Sequence, residues 1–310
     1  MELVIGGMSA VFAGSFSNPL EVIKIRMQLQ GELQARGKYA VHYRNAFHAA
    51  YIIGRKEGIF ALQKGLTPAL FYQFVMNGTR LGSYQLAEKQ GLTKRKDGTV
   101  NPWGSIIAGA ACGAFGAIVG SPFYLIKTHL QSKTNVNAIA VGHQHEYTGG
   151  MAQAIKSIYS KFGFTGLWRG SSSAAPRVAI GSAVQMVTFE KALEFVRASE
   201  YIPHNGPWKT AFFASLISGV FVTISMAPFD LVATRFYNQA VDINGKGLLY
   251  SSVLDCMRKV HHEEGILGFY KGWTANYFRL GPHTLLLLVA WDRLKHHHRL
   301  YEEKNKGLNL

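Results

Sequence analysis

The chain has 310 residues, 33 Lys and Arg against 18 Asp and Glu, and a formal charge of +15. Its two cysteines, Cys112 and Cys256, exclude a disulfide framework and a cysteine-based metal site. So large a positive charge suits either nucleic acid or an anionic surface with anionic ligands, and its distribution excludes the first.

No Asp, Glu, Lys or Arg occurs from Leu3 to Leu20, from Trp103 to Ile126, or from Thr210 to Phe229, runs of 18, 24 and 20 residues. About 20 helical residues cross a hydrocarbon core, and a soluble nucleic-acid binder has no use for such stretches. Mean hydropathy is nevertheless only +0.04. That value suits amphipathic helices around a wet cavity better than helices sealed on all sides in lipid. The opening from Met1 has neither the basic start of a signal peptide nor an Arg/Ser-rich stretch, so any address is expected inside the chain.

In chain order, the first charge-free run ends at Pro19 and continues as the basic amphipathic stretch Pro-Leu-Glu-Val-Ile-Lys at 19–24. A polar loop leads to a short amphipathic helix, Tyr43 to Lys56, with Phe47, Ala50, Tyr51 and Ile53 as its apolar side. Gly58 breaks it, Lys64 and Gly65 follow, and a second long helix, Thr67 to Glu88, carries Arg80. The pattern returns as Pro122, Tyr147, Gly163, Arg169 with Gly170, and a helix from Ser173 to Phe195 carrying Arg177. It returns again as Pro228, Tyr250, Gly265, Lys271 with Gly272, and a helix from Ala275 to Lys295 carrying Arg279. The prolines are 103 and 106 residues apart, and Gly65, Gly170 and Gly272 are 105 and 102 apart. Landmarks in one order at one period predict three repeats, 1–100, 101–204 and 205–310. Arginines at membrane depth are costly and are expected to face a cavity. Gly7, Gly14, Gly109, Gly113, Gly116 and Gly120 predict close helix packing.

Other signals carry little. His261 with His262, and His296 to His298, read as solvated helix ends, since nothing completes a metal site. Asn77-Gly78-Thr79 fits a glycosylation acceptor but lies within a predicted membrane helix. No phosphate loop, Ser/His/Asp set or Ca²⁺ loop is present, so no catalytic residue, metal or cofactor is expected and the chain is not read as an enzyme. The tail from Tyr301 to Leu310 is expected to be disordered.

These residues resemble the signature of the mitochondrial carrier family, solute carrier family 25: Pro-x-Asp/Glu-x-x-Lys/Arg-x-Lys/Arg, then Asp/Glu-Gly-x4-aromatic-Lys/Arg-Gly. The first copy has Pro19, Glu21, Lys24, Arg26, Glu57, Gly58, Lys64 and Gly65, with Gln63 in the aromatic slot. The second has Pro122, Lys127, Trp168, Arg169 and Gly170, but Tyr124 and Phe162 replace both acids. The third has Pro228, Asp230, Arg235, Glu264, Gly265, Tyr270, Lys271 and Gly272, with Ala233 for its first basic residue. The stretches 18–34 and 277–284 look like a narrower oxaloacetate/sulfate-carrier branch. The resemblance implies an all-α, multi-pass protein of the mitochondrial inner membrane, with the peroxisome as the other organelle. Its fold would be six transmembrane helices in a pseudo-threefold barrel with three short matrix helices. It would be a monomer that exchanges small anionic metabolites (dicarboxylates, oxoacids or sulfur oxoanions) by alternating access, with no nucleic-acid partner.

Carried over residue by residue, the resemblance implies a matrix gate pairing Glu21 with Lys127 and Asp230 with Lys24. Gln28 and Gln131 would brace it, with Tyr237 in the third bracing place; Tyr124 with Ala233 cannot form the third ion pair. The cytoplasmic gate would be weak, with Glu190 and Lys295 as its surviving pair beside Asp292. Family substrate contacts lie 13 residues before the cytoplasmic acid positions 85, 190 and 292, at Tyr72, Arg177 and Arg279. Val178 and Leu280 follow the arginines. Arg80 is two turns from Tyr72 on a similar face, with Gln73, Asn77 and Gln185 as neighbours. Two guanidinium forks suit a ligand with two anionic groups. The family's cardiolipin motif falls on Gly65, Arg169, Gly170, Lys271 and Gly272, so cardiolipin and membrane lipid are expected partners. Two other readings of the same fold are a proton-leak carrier and a transport-inactive membrane scaffold.

Overall fold

The computed structural model describes residues 2–310 except 36, 94–100, 148, 200–206, 280–282, 284, 285, 288, 292 and 296–310. The expectations for Leu280, Asp292, His296 to His298 and the tail from Tyr301 therefore lie outside the described residues.

The first charge-free run forms α1, Glu2–Leu29, which continues through Pro19. After a loop, α2 runs Ala46–Glu57. It starts at Ala46 because Asn45 caps it, its side-chain oxygen accepting from the His48 N–H at 2.8 Å. Tyr43 stays outside, held by Gln30: the Gln30 amide donates to its carbonyl and accepts from its N–H. Gly58, at φ +88°, ends the helix. A short 3-10 turn, Ile59–Gln63, leads to Gly65 at φ +67° and then to α3, Leu66–Lys89. The second unit divides its first long helix at Gly120 into α4, Pro102–Val119, and α5, Ser121–Ser132. It continues with α6, Met151–Gly166, and α7, Ser171–Ala198. The third unit has α8, Pro207–Asn238, and α9, Val253–Glu264. Residues 273–279 and the described positions from 283 to 295 are helical as well and are called α10 below. Among the described residues there is no strand, only a bridge between Val241 and Gly247.

One expectation about α2 fails. Its buried face is Ala46, Ala49 and Ile53, while Phe47 and Tyr51 are 74% and 58% exposed. Beginning at Ala46 sets the inward face by Ala46, Ala49 and Ile53 at i, i+3 and i+7, and the two aromatic rings turn out. Each short helix packs beneath the proline end of long helices. Ile53 joins Ile25 and Leu29; Ala154 and Ile158 join Leu125 and Ile126; Cys256 and Val260 join Leu231 and Val232.

The long helices are neighbours in the order α1–α3, α3–α4, α4–α7 and α7–α8, and α1 meets α5 and α8 as well. Glycines make these approaches possible. A Cβ on Gly116 would stand 2.7 Å from the Met76 carbonyl oxygen of α3, and one on Gly113 would stand 3.0 Å from Val178 of α7. So α4 uses Gly116 and Gly120 toward one neighbour, and Gly109 and Gly113 toward the other. Two described helices, Pro102–Val119 and Lys209–Asn238, are long and apolar enough to cross a membrane by themselves. The 28 residues each of α1 and α7 have the length, but their composition is diluted by the polar side chains that they turn toward a shared cavity.

Candidate functional site: a charged cavity closed at one end

A network of ion pairs joins the parts of α1, α5 and α8 that follow Pro19, Pro122 and Pro228. Lys24 of α1 is 2.7 Å from Asp230 of α8, and Lys127 of α5 is 2.8 Å from Glu21 of α1. All four groups are buried. Gln28 donates to Asp230 at 3.0 Å and accepts from the Thr234 hydroxyl at 2.7 Å, so it braces the first pair. Gln131 turns elsewhere and donates to the Asn18 side chain at 2.8 Å. Asn18 in turn donates to Gln63 at 3.1 Å, which gives the polar residue in the aromatic slot its partner. Tyr237 bonds Ser121 at 2.7 Å. Where a third ion pair would stand, Ala233 is fully buried and Tyr124 packs between Tyr72 and Tyr237, at ring distances of 5.0 and 4.8 Å. The Arg177 guanidinium lies 5.0 Å over the Tyr124 ring.

Above this network is a cavity of about 350 Å³. Tyr72, Gln73, Asn77, Arg80, Arg177, Val178, Gln185 and Arg279 all line it, together with Glu21, Lys24 and Lys127. Arg177 donates to the Tyr72 hydroxyl at 2.8 Å and lies 3.7 Å from Asp230. Arg279 reaches Glu21 at 3.3 Å and the Asn276 side-chain oxygen at 3.3 Å. Asn77 donates to Gln73 at 3.0 Å. Arg80 is half-buried and forms no ion pair among the described residues. It also lines an adjoining hollow of about 520 Å³ with Tyr84, Met186, Phe189 and Leu287. The cavity wall and the network beneath it thus hold five cations, Lys24, Arg80, Lys127, Arg177 and Arg279, against the carboxylates of Glu21 and Asp230.

Two features here have no counterpart in the sequence reading. Arg177 and Arg279 are joined to the acids of the ion-pair network, which required knowing how far α7 and α10 stand from α1 and α8. His283 also lines the cavity, one turn after Arg279, and its Nδ1 lies 3.0 Å from the Ser17 hydroxyl. Helical spacing from Arg279 was a signal that could have found it.

Where the short helices meet the long ones, each end unit has a second charge cluster. Glu57 bonds Arg26 and, at 2.7 Å, Lys64; Glu264 bonds Arg235 and, at 2.6 Å, Lys271. Burial alone would push the Glu57 carboxyl up, but hydrogen bonds from Arg26 and Lys64 outweigh it and hold it below the usual range. The second unit has Phe162 and His129 instead. There Arg169 lies 5.7 Å over the Phe162 ring, with its Nε and Nη1 buried and without a hydrogen-bond partner. Hence Lys64 and Lys271 point inward to carboxylates. Gly65, Gly170 and Gly272 follow at φ +67°, +90° and +77°, each at the start of the next long helix. A larger hollow of about 670 Å³ opens beside Gly272, lined by Tyr39, Arg44, Lys271 and Trp273.

At the far end, Glu190 is exposed and makes no ion pair among the described residues, and Lys295 lies 6.0 Å from the Trp291 ring. Glu190 and Lys295 are not paired with each other in this conformation. Among the described residues, ion pairs join α1, α5 and α8 at the proline end, and none joins Glu190 to α10.

Long helices around a cationic chamber, shut at one end by ion pairs between helices, define a solute carrier. The family model described as "Mitochondrial carrier protein" matches residues 1–95, 98–200 and 204–301, and the chain belongs to that family. It is 50% identical to solute carrier family 25 member 35 of Mus musculus over 301 residues, 97% of this chain and 99% of that one. The sequence resemblance within the family was to the same branch. The chain is 38% identical to the mitochondrial oxaloacetate transport protein of Saccharomyces cerevisiae, over 94% of this chain and 88% of that one. It is 37% identical to the mitochondrial citrate transporter E of Aspergillus niger, over 97% and 94%. Members of this family are transporters rather than enzymes, and this chain is a metabolite transporter.

Proposed function

We propose that this protein is an antiporter of small anionic metabolites in the mitochondrial inner membrane. The observation that carries the reading is the excess of cations in the cavity wall and the network beneath it, five against two carboxylates. Dicarboxylates, oxoacids and sulfur oxoanions are the substrate class, in keeping with relatives named for oxaloacetate and citrate. Arg177 and Arg279 hold the two anionic ends, each guanidinium offering a bidentate fork, and Tyr72, Arg80, Gln73 and Asn77 complete the site.

The fold behind this function is three repeats, 1–100, 101–204 and 205–310, giving six membrane-spanning helices in a pseudo-threefold barrel. Contacts from α10 to Glu21 and Ser17 of α1 support closure of the ring. The proline end faces the matrix, so this conformation is closed to the matrix and parted toward the cytoplasm. An anion that draws Arg177 from Asp230 and Arg279 from Glu21 loosens the closed end, which is how binding shifts the population toward the opposite state. Glu190 and Lys295 then pair as the cytoplasmic gate. Lipid phosphate binds the backbone at Gly65, Gly170 and Gly272, and the exposed rings of Phe47 and Tyr51 meet the bilayer.

The test is exchange in proteoliposomes loaded with oxaloacetate, malonate or sulfate. Arg177→Lys and Arg279→Lys keep the charge that the acids need but lose the fork. Exchange is expected to fall by about tenfold or more in each, with the thermal midpoint of the detergent-solubilised protein retained. Exchange at the normal rate in both variants would remove the site from this role.

A further inference from the structure

His283 is a titratable group in the chamber that the gate and the substrate contacts leave unused. It stands one turn after Arg279 on α10, half-buried, and lines the same cavity. Its Nδ1 is 3.0 Å from the hydroxyl of Ser17, a buried residue of α1. The Ser17 oxygen also lies 3.4 Å from the Gly14 carbonyl. The other ring nitrogen faces the backbone of Ala13. The charged groups around the ring are Arg279 on its own helix, Glu21 one turn beyond Ser17 on α1, and Lys127 on α5.

We infer that His283 is a proton-binding site of the transporter, so that an anion entering the chamber brings a proton with it. This rests on the anion-exchange reading above. In the empty chamber, burial opposes charge on the ring most strongly, Arg279 and Lys127 add to it, and Glu21 favours charge. A dianion seated on Arg279 and Arg177 reverses that balance, and an opposite charge within about 4–6 Å raises the protonated fraction of a histidine at neutral pH by about tenfold or more.

The site accommodates both protonation states without moving a heavy atom. In the neutral ring, Nε2 carries the hydrogen toward Ala13, and Nδ1 accepts from the Ser17 hydroxyl. In the imidazolium, a new N–H bond forms at Nδ1 with a proton from the loading side. The Ser17 oxygen then accepts from it, while the hydroxyl hydrogen turns to the Gly14 carbonyl. When the anion leaves on the other side the N–H bond breaks and the proton returns to water, so the cycle has no net chemistry.

The experiment is titration calorimetry of the full chain in detergent with sulfate, which has no titrating proton near neutrality, and with malonate. Each is run in Tris and in MOPS, whose ionisation heats differ. The wild type is expected to take up a fraction of a proton per anion that grows as pH falls below neutrality, read as a buffer-dependent heat. His283→Asn should bind the same anion with buffer-independent heat, and Ser17→Ala should take up its proton only at lower pH. A histidine that merely ties α10 to α1 would leave the wild-type heat equal in the two buffers, and that result overturns the inference. So does undiminished proton uptake in His283→Asn or, should that variant not fold, an unchanged pH profile in Ser17→Ala. If neither probe binds the wild type at all, the anion-exchange reading fails, and that failure is visible separately as absence of binding heat.

Discussion

Glu57 serves Arg26 and Lys64 at once, and the Arg26 side chain is fully buried. Removing one partner of a buried pair leaves a desolvated charge, which costs about 3–5 kcal/mol. Glu57→Gln is therefore expected to lower the thermal midpoint in detergent sharply, and Glu264→Gln to do the same at Arg235. The second unit has no such carboxylate and uses stacked rings instead: His145 lies 3.4 Å from His129 and 5.6 Å from Tyr147. Burial, then His143 and Arg169, push the His145 imidazole down to about 3. The unfolded chain would bind that proton at about 6.5. Below that pH the unfolded state holds more protons than the folded one, so stability falls as pH drops toward 3 and is unaffected above neutrality. At pH 5.5 the loss from this residue is about 1.4 kcal/mol. His145→Gln should flatten the slope of the thermal midpoint between pH 7.5 and 5.5; an unchanged slope would mean that other groups carry it.

At the scale of the helix, α4 tests how much depends on small residues. A methyl group at Gly116 meets the Met76 backbone, which cannot rotate away, so α4 must back off α3. Overpacking of this kind costs about 1–3 kcal/mol. Gly219 of α8 has open space where its Cβ would be, so Gly219→Ala should be neutral or stabilising by up to about 1 kcal/mol. A comparison of the two thermal midpoints checks both expectations; equal effects would show that α4 is not in close contact. The elements themselves were legible, because proline, glycine and charge-free runs repeat with one period. The inward face of α2 was not. Phe47 and Tyr51 turn outward instead, Phe47 with its ring 5.8 Å from that of Phe278. The residues lining the cavity were countable along α3, α7 and α10, since equal steps from equivalent ends reach equal depth. The links from Arg177 to Asp230 and from Arg279 to Glu21 were not countable, because they join different repeats across a distance that only the packing determines.

For the whole molecule, the decisive quantity is the difference in stability between its two ends. The closed end holds Lys24 with Asp230 and Lys127 with Glu21, and Asp230 also holds Arg177. Asp230→Asn leaves Lys24 and Arg177 without their carboxylate only in this conformation, so it should favour the state open at the proline end. Cavity exposure can report the shift. Ser182 lines both hollows, and the free cysteine of α4, Cys112, can be replaced by alanine. Cys256, on the buried face of α9, has its thiol pushed up to about 12 by burial, so it does not react. With Ser182→Cys in the Cys112→Ala chain, an impermeant maleimide should label from the side of the parted end. Adding Asp230→Asn should raise labelling from the proline side by at least about tenfold, since each 1.4 kcal/mol is a decade of population and a broken buried pair costs about 3–5 kcal/mol. Labelling that stays one-sided in a variant still monodisperse in detergent would show that these ion pairs support the fold without closing the chamber.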